Sequence, residues 1–276
     1  MASDQQPEIQ TEKEMSFFDH IDALRGHLFR SALAIVIFGV TAFVNKHILF
    51  DVIIFGPTHL DFITYRAFCK LSLLLAGNDQ YCIKDMGFTL KNITMSGQFT
   101  QHIFVAFIAG LVLAFPYIIF EVWRFIKPAL TTKEKSYAKG IVFFVSILFF
   151  IGVLFGYFLL APLSVNFLGS YRVSDAVSNE VNIESYISFV STLTLATGLV
   201  FELPMLVYFL TKIGLLGSKW MKKNRKYAII VILLLAGILT PSPDVASQIM
   251  MFIPLYSLYE ISIFVAKSVE KNNSKT

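Results

Sequence analysis

The apolar positions of this chain run in long unbroken stretches rather than in the short alternations of a soluble domain. Six stretches stand out: Ser31 to Val44, Ile103 to Ile126, Gly140 to Leu163, Tyr186 to Leu210, Tyr227 to Thr240 and Val245 to Val265. The hydrocarbon core of a bilayer is about 30 Å thick and a helix rises about 1.5 Å per residue, so about 20 residues cross it. The pattern predicts an all-α polytopic membrane protein with six transmembrane helices. The fifth stretch reaches only roughly 21 Å. It and the sixth flank the turn sequence Pro241-Ser242-Pro243-Asp244. They are read as a pair of short spanning helices that thin the bilayer locally, in preference to a re-entrant hairpin. Lysines and arginines before the pair, and Lys267 and Lys271 after it, seek water at both of its ends.

A different pattern precedes the first stretch. Phe17, Ile21, Leu24 and Leu28 recur at spacings of 4, 3 and 4, one apolar stripe on a helix, with Asp19, Asp22, Arg25 and His27 largely off it. This predicts an amphipathic helix lying in the membrane interface before the first span, or else a plain connector. Residues 1–16 form a polar tail without the apolar core of a cleaved signal peptide. The expected organisation is that tail, a membrane domain over 17–266 that includes a long loop at 51–98, and a second polar tail at 267–276.

Composition agrees with the pattern. The chain is 55% hydrophobic and 15% charged, against about 25% charged in soluble domains. Its net charge of +4 is unevenly spread. Most lysines and arginines lie before the first span, between the second and third, between the fourth and fifth, and after the sixth. The positive-inside rule then puts both termini in the cytoplasm. Lys46, Arg66, Lys70, Lys84 and Lys91 lie in or beside the long loop on the other side, where the rule is weak. Cys69 and Cys82, the two cysteines, both fall in that loop. An oxidising outer compartment favours a disulfide over two free thiols, and closing so short a loop would contribute about 3 kcal/mol.

Catalytic signatures are missing: there is no G-x-S-x-G, H-E-x-x-H, P-loop or G-x-G-x-x-G. The five histidines are scattered over loops and helix ends. Neither an enzyme nor a bound metal or cofactor is expected, and no basic, aromatic-interleaved groove points to nucleic acid. Glu202 is the most informative single residue, the only charge between Glu184 and Lys212. A carboxylate there costs roughly 2.5–3.5 kcal/mol to insert. It either makes a structural hydrogen bond near Pro204 or offers a polar docking point to another membrane segment or a water-filled cavity. Glu121 and Arg124 are expected to form an i,i+3 pair at the interface. Glu134, set between Lys133 and Lys135, reads from its chemistry alone as a solvated charge.

Five stretches taken together resemble the TatC family, the receptor subunit of the twin-arginine protein translocase. They are Phe-Asp-His-Ile-Asp-Ala-Leu-Arg (18 to 25), Val-Trp-Arg-Phe-Ile-Lys-Pro-Ala-Leu (122 to 130), Phe-Glu-Leu-Pro (201 to 204), Leu-Thr-Pro-Ser-Pro-Asp-Val-Ala-Ser-Gln (239 to 248) and Ile-Pro-Leu-Tyr-Ser-Leu-Tyr-Glu (253 to 260). They occur in the family's order and spacing over nearly the whole chain.

The resemblance implies a cup-shaped receptor in the bacterial inner membrane that binds Arg-Arg signal peptides of already folded precursors. It implies small single-span partner subunits and self-association into a receptor complex, driven by a proton gradient. It assigns signal-peptide binding to Glu134, Phe125, Asp22, Leu24 and Arg25, and partner docking to Glu202, Gln248 and Asp244. The family's amphipathic segment usually carries a glutamate just before Leu24, and here that position is Ala23. Asp22 is adjacent but points about 100° away around a helix. The alternative for the chain as a whole is a secondary transporter using Glu202 as an ion site, which the lack of repeat symmetry disfavours.

Overall fold

The structure is a computed structural model, and it describes residues 17–77, 82–83, 85–126, 138–174, 176, 178–239 and 245–273. Glu134 and Asp244 lie outside the described residues. Ten helices and two strands make up the described chain: α1 (Phe17–Val44), α2 (Ile63–Ala76), β1 (Phe88–Lys91), α3 (Gly97–Ile126), α4 (Ala138–Phe155), α5 (Ala161–Ser170), β2 (Asn179–Asn182), α6 (Ile183–Val200), α7 (Leu203–Lys212), α8 (Ser218–Lys223), α9 (Arg225–Leu239) and α10 (Val245–Asn273). A π-helical stretch, Gly156–Leu160, joins α4 to α5, and another, Ile48–Ile54, follows α1.

Among the described residues five helices are long and apolar enough to cross a membrane: Ile21–Val44, Gly97–Ile126, Gly140–Ser170, Ile183–Lys212 and Met251–Lys271. The 15 residues of α9 reach only about 22 Å and fall short of that standard. The last helix is longer than its apolar stretch foretells, with 29 residues. Its polar end is held because Glu270 accepts hydrogen bonds from the Ser218 backbone N–H at 2.8 Å and from Ser218 Oγ at 2.5 Å. This satisfies donors at the start of α8 that would otherwise have no partner.

The amphipathic stripe is not a separate surface element. It forms the opening turns of a single 28-residue helix that runs on into the first span. No proline interrupts it, and Gly26 alone does not stop a helix whose neighbours all favour one. Ile21, Leu24 and Leu28 stay exposed along it, in keeping with a lipid-facing stripe.

Prolines shape two of the spans. Pro162 lacks an N–H and crowds the carbonyl four residues back. The helix widens into the π-helical stretch there, and the freed Phe158 carbonyl accepts from Thr64 Oγ1 on α2. Pro204 similarly breaks the fourth span into α6 and α7, with Phe201 and Glu202 as the turn between them.

α1 and α3 run antiparallel and very close. A Cβ on Gly110 would lie 2.6 Å from the Ile35 carbonyl oxygen and 2.8 Å from Gly39 Cα, so only glycine lets the two backbones meet. Beyond the upper ends of these helices the long loop folds into a cap. β1 and β2 pair in parallel, Phe88 opposite Asn179 through Lys91 opposite Asn182, with Lys91 paired to Glu180 across the top. Cys69 and Cys82 are joined as a disulfide, their Cα atoms 4.4 Å apart. Two buried tyrosines fasten the cap to the bundle. Tyr65 Oη lies 2.8 Å and 2.9 Å from the carbonyl oxygens of Pro57 and Pro162, and Tyr186 Oη donates to Ile54 O at 2.8 Å.

Candidate functional site

Of the residues expected to bind a ligand, the four that are described lie at the end of the bundle opposite the cap. α1 brings Asp22, Leu24 and Arg25 there, all exposed on its first turns. α3 ends there with Phe125, which is half-buried. The antiparallel register of the two helices brings them together: the His27 ring meets the Phe125 ring edge-on, centroids 6.0 Å apart and planes at 66°. The end of α3 leads directly into residues 127–137, which include Glu134 and lie outside the described residues.

The expected Glu121–Arg124 pair is not what forms. Glu121 is turned inward, 1% exposed, while Arg124 stays on the surface. Glu121 accepts a 2.5 Å hydrogen bond from His27 Nδ1–H and a longer one, 3.4 Å, from Arg30 Nη1–H, both on α1. The Tyr117 side chain, one turn earlier on α3, lies beside it. A buried carboxylate must be paired and hydrogen-bonded, which an exposed neighbour on its own helix could not achieve. Sequence reasoning missed His27 and Arg30 as partners. The one local signal was a pair of cationic positions, i and i+3, at the end of the apolar stripe and off its face.

Glu202 occupies the break in the fourth span. Its backbone carbonyl accepts from Met205 N and Leu206 N, each at 3.0 Å, in the manner of a residue that starts a helix. Both of its carboxylate oxygens are shielded from the surface and have no hydrogen-bond partner among the described residues. Two and three turns earlier on α6, the Thr194 and Ser191 hydroxyls are also buried without partners among the described residues. The neighbouring seam is tight, since a Cβ on Gly198 would fall 2.7 Å from Val153 Cγ2. The structural hydrogen bond that would have explained this carboxylate is thus not made.

Gln248 has a different setting. It is the fourth residue of α10, and its Nε2–H donates to Leu233 O on α9 at 3.1 Å, tying the last two helices together. Glu202 and Gln248 therefore stand in separate surroundings, one unsatisfied and one satisfied. Among the described residues no group of three or more His, Cys, Asp or Glu side chains could hold a metal.

Comparison with known proteins gives these features a family. The family model for TatC, the Sec-independent protein translocase protein, matches residues 19–254. The Sec-independent protein translocase protein TatC of Blattabacterium sp. subsp. Periplaneta americana is 40% identical over 259 residues, covering 94% of this chain and 97% of its own. That of Carboxydothermus hydrogenoformans is 33% identical over 259 residues, covering 94% and 96%. Two crystal structures of the twin arginine translocase receptor TatC superpose with TM-scores of 0.64 and 0.69, each at 29% identity. They cover 91% and 90% of this chain and 99% of their own. A family match over most of the chain, full-length relatives and a shared fold lead to one conclusion: the chain belongs to the TatC family of Sec-independent protein translocase proteins.

Proposed function

We propose that this chain is the receptor subunit of a twin-arginine translocase: it binds the Arg-Arg signal peptides of folded precursors and nucleates assembly of single-span partner subunits. In this reading α9 is a short span, the fifth in chain order, and brings their number to six. Both termini and the Phe125 end face the cytoplasm of a bacterial inner membrane, and the disulfide-closed cap faces outward. Family membership supports a component of a transport machine rather than an enzyme.

The observation that carries the reading is the juxtaposition of Phe125 with the exposed turn of α1 bearing Asp22, Leu24 and Arg25, at the point where the chain enters the segment holding Glu134. Carboxylates placed there would meet two guanidinium groups. Each charge-assisted bond would contribute about 1.5–3 kcal/mol, and only a guanidinium offers the flat fork that pairs with a carboxylate twice. The signal's apolar stretch would then lie along exposed helix faces. The unsatisfied Glu202 carboxylate is the docking point for a partner helix bearing a donor, with Gln248 and Asp244 serving the same partners at the far end of the hairpin.

The test is co-purification of the full-length chain with a twin-arginine precursor and with its twin-lysine variant. Retention of the first and loss of the second is expected, and equal retention overturns the reading. The break in the fourth span at Glu202 favours a second reading, a transporter with an intramembrane carboxylate site. That reading requires solute uptake by the chain alone in vesicles, abolished by Glu202→Gln.

A further inference from the structure

The best-built polar cluster in the bundle is one that no part of the proposed function uses. Glu121 lies on α3 one turn before Phe125, and His27 lies on α1 five residues, about 7.5 Å of rise, beyond Asp22. Their side chains meet at 2.5 Å, with the Glu121 side chain 2% exposed and that of His27 15% exposed. The same His27 ring rests edge-on against Phe125. One imidazole therefore touches both the buried carboxylate and the aromatic of the proposed binding site.

Elsewhere the contact between α1 and α3 is fixed by the close approach of the backbones at Gly39 and Gly110 and, near the cap, by His102 Nε2, 3.0 Å from the Phe43 carbonyl oxygen. Both fixings lie far from the site. Gly110 is 15 residues, about 22 Å of rise, from Phe125, and over that length the turns of α1 that carry Asp22, Leu24 and Arg25 are free to rotate or splay against α3. A buried carboxylate removes that freedom, because any slip strands an unpaired charge in an apolar setting. Register specification is the best-attested use of a buried polar pair.

We propose that His27 and Glu121 are positioning residues of the signal-peptide site: they lock the register of α1 against α3 and so hold Asp22, Leu24 and Arg25 at a fixed distance from Phe125. The proposal rests on the receptor reading. Its consequence follows from ligand geometry. A forked guanidinium pairs fully only when its acceptors are held within about 0.5 Å and 10–20°, whereas an ammonium is a point charge that tolerates displacement. Loosening the register therefore lowers discrimination between arginine and lysine before it lowers binding of lysine peptides. Arg30 differs from His27: its contact with Glu121 is 3.4 Å and its side chain is 49% exposed, so it adds little to the lock.

The experiment measures the affinities of a twin-arginine and a twin-lysine signal peptide for the full chain in lipid nanodiscs. The chains compared are the unsubstituted one, Glu121→Gln, His27→Ala, His27→Gln and Arg30→Gln. Glu121→Gln and His27→Ala are expected to cut the arginine-to-lysine affinity ratio about tenfold, a change of about 1.4 kcal/mol, through the arginine peptide. Arg30→Gln should leave the ratio within about twofold, and His27→Gln, which keeps a donor one bond further from the backbone than Nδ1, should restore part of it. A ratio unchanged in both Glu121→Gln and His27→Ala overturns the proposal, as does an equal weakening of both peptides, which is the signature of a merely structural role. If Glu121→Gln fails to fold, the His27→Ala and His27→Gln pair carries the same comparison. An unsubstituted chain that holds both peptides alike overturns the receptor reading itself, and the proposal with it.

Discussion

Replacing Glu202 by leucine should make the isolated chain more stable. The side chain places two oxygens where neither solvent nor any described partner reaches them. A buried polar group left without a partner costs about 1–3 kcal/mol by protein mutational data. The residue as a whole is only half-buried, so a figure of about 2 kcal/mol is appropriate for the pair of oxygens taken together. Leucine fills similar space with apolar atoms and removes that penalty. For a domain of this size each kcal/mol moves the unfolding midpoint by about 2–4 °C, so Glu202→Leu should raise Tm by about 4–8 °C in detergent or nanodisc. Glu202→Gln keeps two polar atoms in the same place and should raise it less. Intrinsic fluorescence on a thermal ramp reads this directly. A midpoint for Glu202→Leu at or below that of the unsubstituted chain would refute the reasoning, because it would mean the carboxylate is already satisfied. Under the proposed receptor reading, the stabilised variant should at the same time lose single-span partner subunits on purification.

Three further outcomes follow from the fold. Reduction of the Cys69–Cys82 bridge, or Cys69→Ser, should cost about 3 kcal/mol on the chain-entropy model, and the unreduced chain should take up no maleimide label; labelling of either cysteine without reductant would contradict the bridge. Gly110→Val would drive a methyl-bearing carbon toward the Ile35 carbonyl now 2.6 Å from an ideal Cβ. It should shift or abolish the monodisperse peak in size-exclusion chromatography, destabilising by at least the roughly 1–3 kcal/mol of an overpacked core. Tyr65→Phe leaves the Pro57 and Pro162 carbonyls without their donor and should lose about 1–3 kcal/mol, measured as a lowered Tm. Burial pushes the Tyr65 phenol above its ordinary value. The folded state therefore holds that proton while the unfolded chain releases it above pH about 10. The stability that Tyr65 supplies is complete below that pH and falls as pH rises past it, and the Phe variant should show a shallower alkaline loss.

Features governed by short stretches of chain could be read without the fold. The five long spans follow from runs of apolar residues, because lipid demands a helix whose backbone groups satisfy one another internally. The shortness of α9, with its lysines and arginine before it, was visible for the same reason. The apolar stripe that leaves Ile21, Leu24 and Leu28 exposed followed from spacing, and Glu202 stood out as a lone charge in an apolar run. The prolines that end or widen helices act on the carbonyl four residues back, and that too is local. What spacing could not tell was where the stripe ends. A surface helix and the first turns of a span carry the same periodicity, and only the absence of any break before Val44 makes them one helix.

The sequence alone determined the membrane class, the positions of the spans, the cysteine pair and the family, because each depends on the composition or order of neighbouring residues. The tertiary structure alone decided partnership. Glu121 looks along the chain toward Arg124 but is satisfied by His27, 94 residues away. Thr64 on α2 finds the carbonyl that Pro162 releases, β1 finds β2 across the intervening α3, α4 and α5, and Glu202 finds no partner among the described residues. A buried charge or donor is fixed by whatever lies beside it in space. Helix spacing and the close approach at Gly110 set that neighbourhood, and no stretch of sequence contains it.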